Sequence, residues 1–184
     1  MRKRIGLLAV ASLALTVGSV AFAAKNPMVG GQEMYATKDI VENAVNSADH
    51  TTLVAAVKAA GLVDTLKGQG PFTVFAPTNE AFAKLPEGTV DKLLKPENKE
   101  TLVKILTYHV VPGRMTAAML KKEIKAGGGK AELKTVSGGT LAAMMDGDNI
   151  VLKDEKGGTA TVSIANVMQS NGVIHVIDSV VQPN

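Results

Sequence analysis

The sequence predicts an α+β fold, and three features of the chain point to it. Helical patterns fill the first half, short β-like runs separated by turn residues fill the second half, and one strand-like segment, Phe72–Ala76, lies among the helices. Segregated runs of helices and strands are typical of α+β domains. We therefore expect the early strand to join the later ones in a single sheet.

Residues 1–23 have the pattern of a secretory signal peptide. Arg2-Lys3-Arg4 is basic, residues 5–20 are uncharged and mostly apolar, and Ala21-Phe22-Ala23 has the small-x-small pattern that signal peptidase requires. We predict cleavage after Ala23 and a periplasmic, secreted or cell-surface product without stable membrane insertion. An uncleaved anchor is the alternative, because the apolar stretch is just long enough to cross a bilayer.

Charge and cysteine content narrow the function classes. The chain has 20 Lys and Arg residues against 17 Asp and Glu residues, and its first 23 residues contain three of the basic residues and no acidic ones. The charges of the remaining chain balance, which removes the compositional reason to expect binding to nucleic acid or to an anionic membrane. The chain has no cysteine, and the roughly 160 remaining residues suffice for one domain with its own core.

The chain after the signal divides into a short arm and one domain. Residues 24–36 are polar and contain two glycines, which predicts an extended arm, and residues 37–184 show no repeat or linker. We interpret the latter as a single domain. Apolar residues at helical spacing predict helices over 39–45, 52–60, 90–94, 98–107 and 117–125.

The stretch Gly70–Leu85 contains three of the four phenylalanines and predicts a strand, a corner and a helix. Phe72–Ala76 is rich in aromatic and β-branched residues, and Pro77 should end the strand because it has no N–H for the ladder. Thr78 is expected to cap a helix that begins at Asn79. The apolar face of that helix, which includes Phe82, would pack back on the strand, so we place this stretch at the centre of the core.

The second half has the pattern of a β-meander. Tyr108–Val111 is predicted to be extended and closed by Pro112-Gly113, and Thr116 is expected to cap the helix over 117–125. Glycine- and aspartate-rich turns separate the later runs, as in hairpins. The predicted strands cover 131–136, 140–145, 150–153, 159–165 and 173–176.

Several motifs in order make the chain resemble the fasciclin domain family. They are T-V-F-A-P-T-N-E-A-F at 73–82, Y-H-V-V at 108–111 and N-G-V-I-H-V-I-D at 171–178, with T-L-V-A-A-V-K-A-A-G-L at 52–62 before them. The resemblance spans roughly residues 37–183 and implies a fasciclin-like wedge of β-sheet packed with several helices. The residues to which it assigns a structural part are Phe75, Pro77, Thr78, Asn79, Phe82, Asn171, Gly172, His175 and Asp178.

The resemblance also implies a function. Fasciclin domains are extracytoplasmic modules associated with adhesion and with protein or matrix binding, and they share no catalytic activity or cofactor. The expected partner is therefore an extracytoplasmic protein or polysaccharide. In animal members a Tyr-His motif flanked by Leu or Ile has been linked to integrin binding, which makes Tyr108 and His109 candidate binding residues. The alternative is that both side chains are buried and hydrogen-bonded, as is usual for polar groups in an apolar run.

Two further functions stay open as alternatives. A periplasmic small-ligand carrier or sensor would need a pocket between helices and sheet, and a hydrolase would need Ser179 or a histidine exposed beside a base. No G-x-S-x-G or H-E-x-x-H motif is present, and we expect no metal site. We expect His50 to be solvated at a helix entrance, and His109 and His175 to have structural roles.

Overall fold

A computed structural model describes residues 26–184 of the chain, so the predicted signal peptide at 1–23 and its cleavage site lie outside the described residues. The helices are α1 (Ile40–Asn46), α2 (Thr51–Ala60), α3 (Val63–Lys67), α4 (Asn79–Ala83), α5 (Thr89–Leu93), α6 (Lys99–Tyr108) and α7 (Ala117–Ala126). The strands are β1 (Met28–Val29), β2 (Gln32–Glu33), β3 (Phe72–Pro77), β4 (Val110–Pro112), β5 (Lys130–Lys134), β6 (Thr140–Asp146), β7 (Asn149–Lys153), β8 (Thr159–Gln169) and β9 (Gly172–Ile177). The α+β class and the wedge of sheet with several helices are confirmed.

One seven-stranded sheet organises the domain, in the order β4-β3-β9-β8-β7-β6-β5. The strand predicted among the helices, β3, pairs in parallel with β9 and antiparallel with β4. From β5 to β9 the strands pair antiparallel with their neighbours in sequence, as the turn-rich pattern predicted. The two edges approach each other, because the Val136 N–H donates to the Val110 carbonyl just beyond β5. The sheet is therefore close to a closed barrel.

The core has two parts, one on each face of the central strands. Val74 and Ala76 of β3 pack with α1, α2, α3 and α6, whereas Phe75 between them packs with α7 and the meander strands. This alternation follows from the period of two along a strand. Every residue of β9 is buried, as expected for a strand covered on both faces.

Two segments differ from their sequence-based predictions. Residues 26–36, for which the sequence predicts an extended arm, form the β1–β2 hairpin and bury Val29 and Met34 against α1 and its neighbours. The prediction of extended chain from Tyr108 is wrong for its first two residues, because Tyr108 ends α6 and His109 keeps helical dihedral angles as its C-cap. The strand begins only at Val110.

Over residues 26–184, none of the helices has the length and apolar character that crossing a bilayer would require.

Candidate functional site

The first and last family motifs are neighbours in the structure. The parallel register of β3 and β9 places Phe75 opposite His175 and Pro77 opposite Ile177. The Phe75 and His175 rings stack with their centroids 5.7 Å apart and their planes at 26°. Both side chains are fully buried. Residues that lie about a hundred positions apart in sequence therefore form the centre of one core.

His175 is held by two backbone groups. Its Nε2 lies 2.8 Å from the Met115 carbonyl, and its Nδ1 accepts from the Asn166 N–H at 3.4 Å. A carbonyl only accepts, so Nε2 must carry the proton and the ring is in its neutral Nε2–H form. Burial lowers the pKa of His175, and the Met115 carbonyl only partly opposes this effect. The ring is thus a fixed connection between β9, β8 and the segment before α7.

Tyr108 occupies the end of α6 and reaches across to the meander. Its hydroxyl donates to the Thr140 carbonyl at 2.7 Å and accepts from the Glu155 N–H at 3.3 Å. The side chain is fully buried, and burial is the main reason why the pKa of Tyr108 is raised to about 12. Gly139 packs on the ring so closely that a Cβ there would lie 2.8 Å from Cε2 of Tyr108.

His109 is also buried and joined to backbone on both sides. Its Nδ1 donates to the Ile105 carbonyl at 2.8 Å, and its Nε2 accepts from the Val181 N–H at 3.3 Å. These partners fix the neutral Nδ1–H form, because protonation of Nε2 would leave two N–H groups facing each other. Burial lowers the pKa of His109 to about 4. The imidazole therefore connects α6 to the segment that follows β9.

Asn171 links three elements from the turn between β8 and β9. Its Nδ2 donates to the carbonyls of Leu66 at 2.7 Å and Gly68 at 3.2 Å, and its Oδ1 accepts from the Ile40 N–H at 3.1 Å. The side chain thus holds the start of α1 and the end of α3 against the sheet. The next residue, Gly172, lies so close to Phe72 that a Cβ would collide with the Phe72 carbonyl.

The other polar residues of the motifs are structural in the same sense. Thr78 caps α4 by accepting from the Ala81 N–H at 3.2 Å, which confirms the predicted cap. Asn79 accepts from the Thr52 N–H at 3.0 Å and donates to the Ala48 carbonyl at 2.9 Å, so it fixes the start of α2. Phe82 is buried in the helix-side core. Asp178 accepts from the Thr161 N–H at 2.8 Å beyond the end of β9.

No histidine among the described residues is paired with Ser179, the nucleophile of the hydrolase that the sequence left open. The hydroxyl of Ser179 lies 3.3 Å from Nζ of Lys84. Both ring nitrogens of His175 and of His109 are bonded to backbone groups, so neither ring is paired with Ser179. Within residues 26–184, no three His, Asp or Glu side chains come close enough together to hold a metal ion.

The expectation that His50 is solvated is wrong. The chain forms a 3-10 turn over Ala48–His50 that folds the ring inward, leaving the residue 3 % exposed. Its Nδ1 lies 2.8 Å from Oγ of Ser47, and its Nε2 has no hydrogen-bond partner among the described residues. Burial lowers the pKa of His50, while the nearby Ala76 backbone and the charge of Asp49 oppose the effect.

Sequence reasoning missed the burial of His50 because a histidine after Asp49 at a helix entrance suggested exposure to solvent. Asp49 precedes it, and the helical pattern becomes clear only at Thr52. The available signal was the spacing to Leu53 and Val57, which places position 50 on the buried face of α2 if the helix is extended backward by one turn. Leu53 and Val57 are both buried.

Comparisons with known proteins agree with this architecture. The family model described as Fasciclin domain matches residues 48–183. Protein sll1483 of Synechocystis sp. is 46 % identical, and the match covers 97 % of this chain and 95 % of that protein. The immunogenic protein MPB70 of Mycobacterium bovis is 35 % identical over 90 % of this chain and 80 % of its own length.

Two further similarities involve longer proteins. The transforming growth factor-beta-induced protein ig-h3 of Sus scrofa is 39 % identical over 71 % of this chain, which corresponds to only 17 % of that protein. Among solved structures, a FAS1 domain pair from the insect cell adhesion molecule Fasciclin I matches with a TM-score of 0.55 and 24 % identity, over 71 % of this chain and 43 % of that one. At 24 % identity, this structural match supports the fold and no functional conclusion.

Proposed function

Because the chain belongs to the fasciclin domain family, we propose that it acts outside the cytoplasm as a binding module without catalytic activity, attached to an extracytoplasmic protein or polysaccharide. The observation that most supports this proposal is the use made of the motif side chains. The polar groups of four motif side chains form hydrogen bonds with the protein's own backbone, namely those of Tyr108, His109, Asn171 and His175. Contact with a partner would then involve exposed side chains elsewhere on the domain, and not these four.

We propose that the Tyr108–His109 pair supports this surface from inside. Tyr108 has no exposed area and His109 is 2 % exposed, so neither ring offers a face to a second molecule. Together they join α6 to the meander and to the chain after β9. Loss of either side chain should change binding only through loss of folded protein.

Binding to isolated cell envelopes tests the proposed function. The mature chain should bind envelope fragments in a saturable manner, and pretreatment of the fragments should identify the partner class. Protease treatment abolishes binding if the partner is a protein, and periodate oxidation abolishes it if the partner is a polysaccharide. Absence of saturable binding to untreated envelopes would overturn the proposal.

A His109→Gln variant is the matched control for the supporting role of the pair. The fraction of this variant that is folded should bind envelopes with the wild-type affinity. If the variant instead keeps its melting temperature and loses binding, His109 is a contact residue and the internal role is wrong.

A further inference from the structure

The turn between β8 and β9 contains the one Asn-Gly pair of the sequence, Asn171-Gly172. Such a pair is chemically reactive, because the glycine nitrogen can attack the side-chain amide carbon of the asparagine and glycine has no Cβ to hinder the approach. The new N–C bond closes a succinimide ring, and the bond to Nδ2 breaks as ammonia leaves with the proton of the backbone nitrogen. A solvent water then opens either ring carbonyl, which leaves aspartate or isoaspartate at position 171.

The fold requires both members of this reactive pair. A Cβ on Gly172 would collide with the Phe72 carbonyl. The Asn171 side chain donates to the carbonyls of Leu66 and Gly68 and accepts from the N–H at the start of α1. A carboxylate cannot make these bonds, since it has no proton to donate. The amide and the glycine are therefore needed at the same place, although together they form a labile bond.

The folded structure holds the reacting groups in contacts that ring closure would break. Three hydrogen bonds fix the amide of Asn171, at 2.7, 3.1 and 3.2 Å. Its backbone carbonyl accepts from the Phe72 N–H at 3.0 Å. Gly172 is buried and pairs with Gln169 at the end of the hairpin. Attack on Cγ requires the side chain to leave its partners, so the reaction meets an added barrier in the folded protein that is missing in the unfolded chain.

We propose that Asn171 is a modification site, at which the unfolded chain deamidates and the folded protein is protected, and that the products destabilise the fold. In the aspartate product a carboxylate oxygen replaces Nδ2 and faces the carbonyls of Leu66 and Gly68, where it has no proton to donate. Isoaspartate also adds a methylene to the backbone, directly before the pairing of Gly172 with Phe72. This site goes beyond the proposed envelope binding and does not depend on it.

Incubation of the mature chain in mildly alkaline buffer, with and without guanidinium chloride, tests the protection. Peptide mass analysis should show a gain of one mass unit at Asn171 in the denatured sample. The native sample should react at least roughly a hundredfold more slowly, the factor that three net hydrogen bonds supply. Equal rates in the two samples would overturn the proposal.

Two controls belong to this incubation. A denatured sample in acidic buffer should stay unmodified, because ring closure needs the backbone nitrogen to lose its proton. The exposed Asn149 should also stay unmodified in the alkaline denatured sample, since the β-branched Ile150 that follows hinders the attack. Modification of Asn149 as fast as Asn171 would contradict the role given to the Asn-Gly pair.

Asn171→Asp reproduces the first product and tests its effect. Its equilibrium constant for unfolding should exceed the wild-type value roughly thirtyfold, the factor for two lost hydrogen bonds. Asn149→Asp makes the same change at an exposed position and should stay near the wild-type value. Wild-type protein refolded after alkaline denaturation gives a second readout, because its less stable fraction should equal its modified fraction. Wild-type stability of Asn171→Asp, or of the modified fraction, would overturn the destabilising effect.

Discussion

The three histidines of the chain are buried, and burial lowers the pKa of each. His109 shows the effect in numbers, with a pKa of about 4 in the folded protein against about 6.5 for an unfolded chain. The neutral form therefore stabilises the fold fully above pH 6.5. That contribution is lost as the pH falls from about 6.5 to about 4, because over this interval the unfolded chain binds a proton that the folded protein does not.

Replacing His109 with Gln should make the pH dependence of stability shallower. One proton fewer taken up on unfolding changes the slope of the unfolding free energy by about 1.4 kcal/mol per pH unit, and this loss should be visible between pH 6 and pH 4.5. Urea denaturation at a series of pH values measures it. Lys121→Gln, on the exposed face of α7, keeps all three histidines and serves as the control. A His109→Gln curve parallel to the wild-type curve would contradict the buried neutral ring.

Gly139 should be intolerant of a side chain, although its backbone is not left-handed. A Cβ at this position would lie 2.8 Å from the Tyr108 ring, which is closer than real carbon contacts. We expect Gly139→Ala to destabilise the domain by about 1–3 kcal/mol, the usual cost of overpacking. Thermal unfolding measures the change.

Combining this change with Tyr108→Leu gives a control. Leu leaves room beside position 139, so the double variant should lose less stability than the two single changes together. Strict additivity would mean that the Cβ does not meet the ring.

At the scale of elements, the pairing of β3 with β9 brings together Phe75 and His175, which are among the largest fully buried side chains of the described residues. Phe75 is fully buried, stacks on His175 and packs under α7. Truncation to Ala should therefore cost about 3–5 kcal/mol, as for other buried aromatic residues. The midpoint of urea unfolding reports this loss. Met119→Ala, at a side chain that is 48 % exposed, should change stability by less than about 0.5 kcal/mol, and a similarly small effect at Phe75 would place that ring outside the core.

The element boundaries show where sequence patterns suffice. The end of β3 and the start of α4 were predictable, because Pro77 marks the stop of a strand and the Thr78 hydroxyl caps the helix that follows. The end of α6 was not predictable in the same way. Tyr108 and the two valines that follow favour strand locally, yet the helical ladder continues and the His109 N–H still bonds to the Leu106 carbonyl. From this helical position the Tyr108 hydroxyl bonds to the Thr140 carbonyl, a tertiary contact that a local pattern does not contain.

The candidate site depended on information that no local pattern contains. The family motifs identified which residues matter, and periodicity predicted that His175 is buried. The burial of His50 arises from the meeting of α1, α2 and β3. Such a meeting is set by long-range packing, and the sequence offered only the spacing of His50 to Leu53 and Val57 as a sign that the ring is buried.

For the whole molecule, export is the remaining prediction from the sequence. We expect the exported chain to begin at Ala24, because Ala21-Phe22-Ala23 provides the small residues that signal peptidase needs. Intact-mass measurement of protein from the periplasm or the culture medium identifies the first residue. A mass that includes residues 1–23 would contradict cleavage, and an Ala23→Asp variant, which should block processing, gives the reference mass of the uncleaved chain.

The position of β9 has a consequence for how the chain acquires its fold. This strand comes last among the nine strands of the described residues, yet it lies between β3 and β8 inside the sheet. Contacts between residues so far apart in sequence raise the contact order, which slows folding because a long loop must close before the contacts form. Until residues 172–177 arrive, β3 has no parallel neighbour and the centre of the sheet is missing. The sheet therefore cannot be completed until nearly the whole chain has been synthesised, and we expect a chain exported by the predicted signal peptide to be still unfolded when it crosses the membrane.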